Sequence, residues 1–129
     1  MDDLSFSIKC VSSKRELVFS DWSHDYLTVK LIGDDLSAHK QVWFYRDFPV
    51  LMELLDTLAA YERNWDGMME FCSIDGDFAL AFRANRLGHV FVSITISKQP
   101  EWSVDCTIQT KLGQLPLIAR SARTAYSRL

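Results

Sequence analysis

The three histidines have the widest chemical capacity in this sequence, because a histidine can bind a metal or act as an acid or a base. They are His24, His39 and His89, and they lie far apart along the chain. The sequence has no His-x-x-x-His, His-Glu-x-x-His or Cys/His cluster, which are the spacings of zinc sites. No Gly-x-Ser-x-Gly context supports a Ser–His–Asp triad. We therefore expect no metal, no cofactor and no enzyme activity.

The three cysteines indicate structural rather than catalytic roles. Cys10, Cys72 and Cys106 are widely spaced, odd in number and without a Cys-x-x-Cys pair. Each lies in a stretch with the pattern of a strand. A catalytic cysteine would need a nearby base and an electropositive setting. We therefore expect three buried free thiols.

Two short motifs around glycine are typical of turns. Asp75 and Asp77 flank Gly76, an arrangement in which aspartate bonds the turn backbone, so we expect a turn role for both. Gly88 precedes His89 where an alternating strand begins, and the chain is expected to need a positive φ there. The His89 ring would bond a neighbouring strand's backbone or a turn carboxylate. We interpret His89 as a structural polar anchor, with a functional role as the alternative.

The formal net charge of −3 is unevenly divided along the chain. Residues 1–65 contain 7 Lys and Arg against 11 Asp and Glu, a balance of −4. Residues 66–129 contain 7 against 6, a balance of +1. Nucleic-acid-binding proteins usually carry a basic stripe, so we expect no nucleic-acid partner. A basic protein partner would suit the acidic half.

The hydrophobic patterning predicts a cytoplasmic protein without membrane contact. The apolar fraction of 48% is enough for a core that needs no metal or disulfide. The apolar runs have only a few residues, against the roughly 20 that a membrane span needs. The start "MDDLSFSIK" lacks the basic and the continuous apolar regions of a signal peptide.

The elements that position these residues are short strands, recognised by alternating apolar and polar residues. Four such stretches occupy the first half: "SFSIKC", "RELVFS", "YLTVKLI" and "HKQVWFY". Four more occupy the second half: "MEFCS", "FALAFR", "HVFVSITI" and "WSVDCTIQT". The connections within each half are too short for parallel crossovers, so we expect antiparallel pairing.

A helix is predicted after each set of four strands. The first is expected to run for about 16 residues, from an N-cap at Asp47 to just before the turn-forming "WDG" that begins at Trp65, and the apolar residues from Leu51 to Trp65 follow helical spacing. The predicted fold is α+β, with an antiparallel β-sheet and two helices in ββββα-ββββα order. It forms a single domain over residues 1–129, with a possible pseudo-repeat of residues 1–65 and 66–129.

Four aromatic side chains fall on the side of the strands opposite the main apolar rows: Tyr26, Trp43, Tyr45 and Phe91. Two interpretations are open. A second small core or a packed helix would cover them. Otherwise they would form an aromatic binding face, because Trp and Tyr are favoured at interface hot spots.

A set of short motifs occurs in a defined order between residues 65 and 120. It comprises Trp65 and Gly67, Asp75-Gly76, Gly88-His89-Val90, Trp102, and Gly113-Gln114-Leu115 followed by Ile118-Ala119. In order and spacing the set resembles the WapI-like immunity proteins of bacterial polymorphic toxin systems. Most of these residues are structural types, so the resemblance implies a fold more directly than an interface. Pro116 and the basic ending "RSARTAYSRL" depart from the aromatic-rich ending of that family.

The resemblance implies a non-enzymatic protein of the cytoplasm that binds and neutralises a cognate toxin domain. Such toxins are often basic nucleases, with which an acidic inhibitor associates quickly. The alternative is a small ligand-binding or self-associating domain that uses the aromatic face. For the leading interpretation we expect the partner to contact five residues in two successive turns: Asp21, Trp22, Asp25, Asp34 and Asp35.

Overall fold

Eight strands and two helices make up the fold. The computed structural model describes residues 5–23, 25–44 and 48–127. The first half contains β1 (Phe6–Lys9), β2 (Glu16–Ser23), β3 (Tyr26–Gly33), β4 (Leu36–Trp43) and α1 (Phe48–Ala59). The second half contains β5 (Met69–Cys72), β6 (Phe78–Ala84), β7 (His89–Lys98), β8 (Trp102–Lys111) and α2 (Leu115–Ser127), with a 3-10 turn at Leu112–Gln114.

The strands form two four-stranded sheets, one from each half of the chain. Their orders are β1-β2-β3-β4 and β5-β6-β7-β8, so each strand pairs with its neighbour in sequence. Every pairing is antiparallel, as the short connections require. Residues 66–110, all of them described, contain no helix. The predicted α+β fold and its ββββα-ββββα order are confirmed.

The inner faces of the two sheets share one hydrophobic core. Side chains alternate along a strand, so one row of each strand points inward. The Phe19 ring of β2 meets the Phe78 ring of β6 edge to face, with centroids 5.8 Å apart. Phe44, directly after β4, stacks on Phe71 of β5 at 5.8 Å. Aromatic packing therefore joins the two halves.

The helices pack against each other and against strands at the sheet edges. α1 contacts β5, and α2 contacts β1. Leu51, Leu55 and Leu58 of α1 are buried, as are Ile118 and Ala122 of α2. Among the described helices, none has the length and apolar character to cross a membrane.

α1 ends earlier than the sequence predicts. It has 12 residues, Phe48–Ala59, and Trp65 lies in the loop beyond it. Trp65 is buried, packs beside Tyr61 and donates from Nε1 to the carbonyl of Phe82 at 3.4 Å. The helical spacing thus reflected the burial of Trp65, which a loop folding back also achieves. Asp47, the expected N-cap, lies outside the described residues.

The turn between β5 and β6 carries a connection between the sheets. Gly76 has a φ of 74°, in the left-handed region that favours glycine. Asp77 Oδ1 accepts a hydrogen bond from Ser73 Oγ at 2.7 Å, as a turn role requires. Its Oδ2 lies 2.7 Å from Lys40 Nζ of β4. The turn role of Asp77 is confirmed, and its ion pair also ties the second sheet to the first.

Candidate functional site

The five residues predicted to bind a partner lie at the two ends of β3. Asp34 and Asp35 form the turn after this strand, whereas Asp21, Trp22 and Asp25 lie near its start. The strand has eight residues, which span about 25 Å at roughly 3.3 Å per residue. The structure therefore places them in two separate clusters.

The turn at Asp34 and Asp35 is paired with basic residues from the β1–β2 turn. Lys14 Nζ lies 3.8 Å from the Asp34 carboxylate, and Arg15 Nη2 lies 3.0 Å from that of Asp35. The hydrogen bond from Arg15, followed by its charge, lowers the pKa of Asp35. A cation therefore stands beside each of these two carboxylates, whose side chains are 76% and 67% exposed.

A β-bulge at Asp21 decides which side chains point outward in the other cluster. Asp21 has a φ of 54°, and the register between β2 and β3 shifts here. Aspartate tolerates this left-handed conformation better than most residues. In a regular strand, side chains would alternate from inward-facing Phe19, so that Asp21 would point inward and Trp22 outward. The extra residue of the bulge reverses this order. Asp21 therefore lies on the outer face, where Lys30 Nζ is 3.4 Å from its carboxylate.

Trp22 lies on the inner side of the bulge and is half-buried. Its ring meets Phe48 of α1 edge to face, with centroids 4.5 Å apart. Phe48 in turn stacks on Tyr126 of α2. These contacts give Trp22 a structural role, so its replacement is expected to act on stability. A contact with a partner stays a prediction.

Two other aromatic side chains occupy the exposed positions beside this bulge. Tyr26 and Trp43 are cross-strand partners on the outer face of the first sheet. Tyr26 is 43% exposed and Trp43 is half-buried. Asp25 is exposed in the adjoining turn, and its carbonyl accepts a hydrogen bond from the Phe44 amide. We call the following set the Tyr26 face: Asp21, Asp25, Tyr26, Lys30 and Trp43.

The predicted aromatic face is not a single surface. Phe91 lies on the outer face of the second sheet, where the Arg83 guanidinium stands 5.6 Å from its ring centroid. Tyr45 lies outside the described residues. The expectation of one face is wrong for Phe91, because the chain forms two sheets and each has its own outer side. Ile32 and His39 are also exposed on the first sheet, so its outer face is open to solvent.

His89 is held by the side chain of Asn85. The His89 amide donates to Asn85 Oδ1 at 3.1 Å, and Asn85 Nδ2 lies 3.4 Å from the ring Nδ1. Gly88 has the expected positive φ, 82°. The ring partner is a turn amide, so the expectation of a strand backbone or a carboxylate is wrong. The ring also stands edge-on to Phe91 at 6.4 Å.

His89→Gln is expected to lower the free energy of unfolding by about 1 kcal/mol, the usual effect of one lost hydrogen bond. Urea denaturation measures this change. Asn85→Ala is the matched control, and we expect a larger loss because Asn85 Oδ1 also accepts from the Leu87 amide. A large loss of partner binding by His89→Gln at an unchanged melting temperature would instead assign His89 a functional role.

The three cysteines are free, as expected, but the structure does not bury them. Cys72 is exposed on the outer face of β5, opposite Ala79. Cys106 and Cys10 are partly exposed, the first because β8 is an edge strand. The expectation of buried thiols is wrong. An alternating pattern indicates which face of the sheet a side chain lies on, but it does not indicate whether the strand lies at the edge of the sheet, where side chains are more exposed.

Five residues of the motif set have clear conformational or packing roles. Positive φ angles occur at three glycines: Gly67, Gly76 and Gly88. Trp65 and Leu115 are 7% and 2% exposed, and Leu115 begins α2. These positions support the interpretation of the set as mainly structural.

Four other motif residues lie at element boundaries or in turns. Trp102 begins β8 and is partly buried, and the other three are exposed in turns: Asp75, Gly113 and Gln114. Within the described ranges, no three or more His, Cys, Asp or Glu residues are grouped so that they could hold a metal ion.

One protein-family model matches nearly the whole chain, including strands of both sheets and both helices. The family described as "Family of unknown function (DUF6228)" matches residues 9–128, from the end of β1 through α2. The chain belongs to the DUF6228 family. This description names no activity or partner, so the resemblance to immunity proteins stays a prediction for this DUF6228 protein. No curated protein matches the chain.

Proposed function

We propose that this DUF6228 protein is a non-enzymatic immunity protein of the cytoplasm that binds a cognate toxin domain through the Tyr26 face. The observation that carries the proposal is the cross-strand pair of exposed Tyr26 and half-buried Trp43, which lies beside two carboxylates on the outer face of the first sheet. The motif order that resembles immunity proteins supports the same role. The lack of a catalytic motif in the sequence favours binding over catalysis.

The aromatic pair has the properties of an interface anchor. Tyr and Trp are enriched among the few residues that supply most of the binding free energy of an interface. Tyr26 begins β3 and Trp43 ends β4, and both are held by strand pairing next to buried residues, Leu27 and Val42. Such an anchor loses little conformational entropy on binding.

The charges beside the pair suit a basic partner. The Asp21 carboxylate is 62% exposed even though Lys30 lies beside it. Asp25 is exposed in the neighbouring turn. Exposed carboxylates at the rim of an interface act mainly on the association rate, because they attract a basic partner before contact.

Asp21→Asn and Asp25→Asn are each expected to lower the association rate about two- to fivefold at low ionic strength, and to flatten its salt dependence. Asparagine also tolerates a positive φ, so Asp21→Asn should preserve the bulge. Stopped-flow association at several salt concentrations measures both effects. Asp34→Asn, at the opposite end of β3, is the matched control and should leave the rate near that of the parent. Association that does not respond to salt would contradict a steering role.

The proposed function is tested with the gene that lies directly upstream. An immunity gene is expected to follow the gene of a large toxin with a variable C-terminal domain. Expression of that C-terminal domain in a bacterial host should stop growth, and co-expression of the DUF6228 chain should restore it. The two purified proteins should form a complex. Absence of an upstream toxin domain, or growth arrest that co-expression does not relieve, would contradict the proposal.

Self-association is the second candidate, and one observation favours it. β4 carries Trp43 and, among the described strands, pairs only with β3, so its other edge is available to a second copy. Light scattering over a range of protein concentrations distinguishes the two functions. A dimer that dissociates on Trp43→Ala would favour self-association, whereas a monomer at all concentrations would leave the face for another protein.

A further inference from the structure

Phe91, on the outer face of the second sheet, lies among basic side chains. The strand pairing places Arg83 of β6 directly beside it, and the Arg83 guanidinium stands 5.6 Å from the ring centroid. His89 shares this face of β7, and Lys111 of β8 is the cross-strand partner of His89. Arg86 is exposed in the turn that joins β6 to β7 at the same end of the sheet. We call these five residues the Phe91 cluster.

The three cations of the Phe91 cluster are available to a partner. Arg83, Arg86 and Lys111 are exposed, and none of them forms an ion pair within the described part of the chain. At the β3–β4 turn, by contrast, Lys14 and Arg15 already stand beside carboxylates. Like charges at one end of a sheet repel one another, and an anionic group placed among them is attracted by all three. The cluster therefore has the charge of a site for an anion.

The neighbouring positions of this face carry short side chains. Ala81, Ser93 and Thr107 are cross-strand partners in the row next to Phe91. Short side chains let the backbone of a partner come close to the sheet. Phe91 is half-buried, and its ring supplies an apolar contact among the charges. A segment that carries carboxylates around one apolar side chain matches this surface.

The acidic residues of the same face limit the length of the anion that fits. Glu70 is exposed on β5 opposite Ala81, and Asp105 is exposed on β8 opposite Thr95. A nucleic-acid strand that continued along the sheet would pass these carboxylates, whereas nucleic-acid binding needs cations spread along the phosphate backbone. A short protein segment with a few carboxylates contacts the cations alone. The arrangement of charges thus favours a protein over a nucleic acid.

We propose that the Phe91 cluster binds an acidic segment of a protein partner. Its carboxylates pair with Arg83, Arg86 and Lys111, and its apolar or aromatic side chain packs on the Phe91 ring. The inner faces of the two sheets share one core, so this surface lies on the side of the molecule opposite the Tyr26 face. The two surfaces have no residue in common. The site is therefore independent of the proposed toxin contact, and both partners fit on the chain at the same time.

The first test titrates the full chain with a short synthetic peptide of glutamates around one central phenylalanine. Heteronuclear NMR of the backbone amides locates the contact. We expect the largest shift changes at the Phe91 cluster, and an affinity that falls as salt is raised. The same peptide with glutamine in place of glutamate should bind roughly tenfold more weakly, the combined effect of several exposed ion pairs. Equal affinity for the two peptides, or shift changes on other faces only, would overturn the proposal.

Charge-matched variants separate this cluster from the overall charge of the chain. Arg83→Gln/Lys111→Gln should weaken binding of the glutamate peptide severalfold. Arg63→Gln/Arg120→Gln makes the same change in net charge at two exposed arginines outside the second sheet, and should bind as the parent does. An equal loss in the two double variants would overturn the site. Tighter binding of single-stranded oligothymidylate than of the peptide, with shifts at the same amides, would overturn the choice of a protein partner.

Discussion

Phe78→Ala is expected to lower the free energy of unfolding by about 3–5 kcal/mol, because it leaves a cavity at the contact of the two sheets. Phe78 is fully buried. Its ring lies within 5.8–6.2 Å of three aromatic rings from β2, the end of β4 and β5: Phe19, Phe44 and Phe71. A domain of this size is stabilised by roughly 5–15 kcal/mol, so much of the total would be lost.

Urea denaturation followed by circular dichroism measures this loss. Leu87→Ala is the control, because Leu87 is 80% exposed in the β6–β7 turn and its truncation should cost less than about 0.5 kcal/mol. Equal midpoints for the two variants would mean that the halves do not share a core.

The double variant Tyr26→Ala/Trp43→Ala is expected to weaken partner binding at least 100-fold, or about 2.7 kcal/mol. Two neighbouring aromatic anchors at an interface centre supply this much binding free energy. Most of the loss should appear in the dissociation rate, because anchors act after contact. Calorimetry and surface plasmon resonance measure the affinity and the rate.

Phe91→Ala is the matched control for this pair. Phe91 is also a half-buried aromatic residue on an outer sheet face, but on the second sheet. It should bind the partner as the parent does. The Tyr26 face would be wrong if the double variant bound normally and Phe91→Ala did not.

The strands and their inner rows could be predicted from local pattern alone. Leu17, Phe19, Leu27 and Val29 alternate in the sequence and are fully or almost fully buried. Short connections then determine antiparallel pairing. Both features can be predicted because they depend only on residues close together in the sequence and on the alternation of side chains along a strand.

The reversal at Asp21 could not be predicted from the same pattern. Strict alternation after Phe19 would turn Asp21 inward and Trp22 outward. The bulge inverts both, and only the tolerance of aspartate for a positive φ hinted at it. The aromatic residue on the open face is therefore Tyr26 rather than Trp22.

Contacts between segments far apart in the sequence could not be predicted from the residue pattern either. Composition shows an acidic first half, but not that Lys14 and Arg15 stand beside the carboxylates of the β3–β4 turn. Nor does it show that the Gln109 amide meets the Cys10 sulfur. These pairings depend on how strands and turns far apart in sequence are brought together.

Hydroxyl-radical footprinting of the free chain and of its complex with the cognate toxin domain tests the Tyr26 face most directly. The method reads the solvent access of individual Tyr, Trp and Phe side chains. We expect oxidation of Tyr26 and Trp43 to fall strongly in the complex, while that of Phe91 stays unchanged. Protection of Phe91 with unchanged oxidation of Tyr26 and Trp43 would contradict the account.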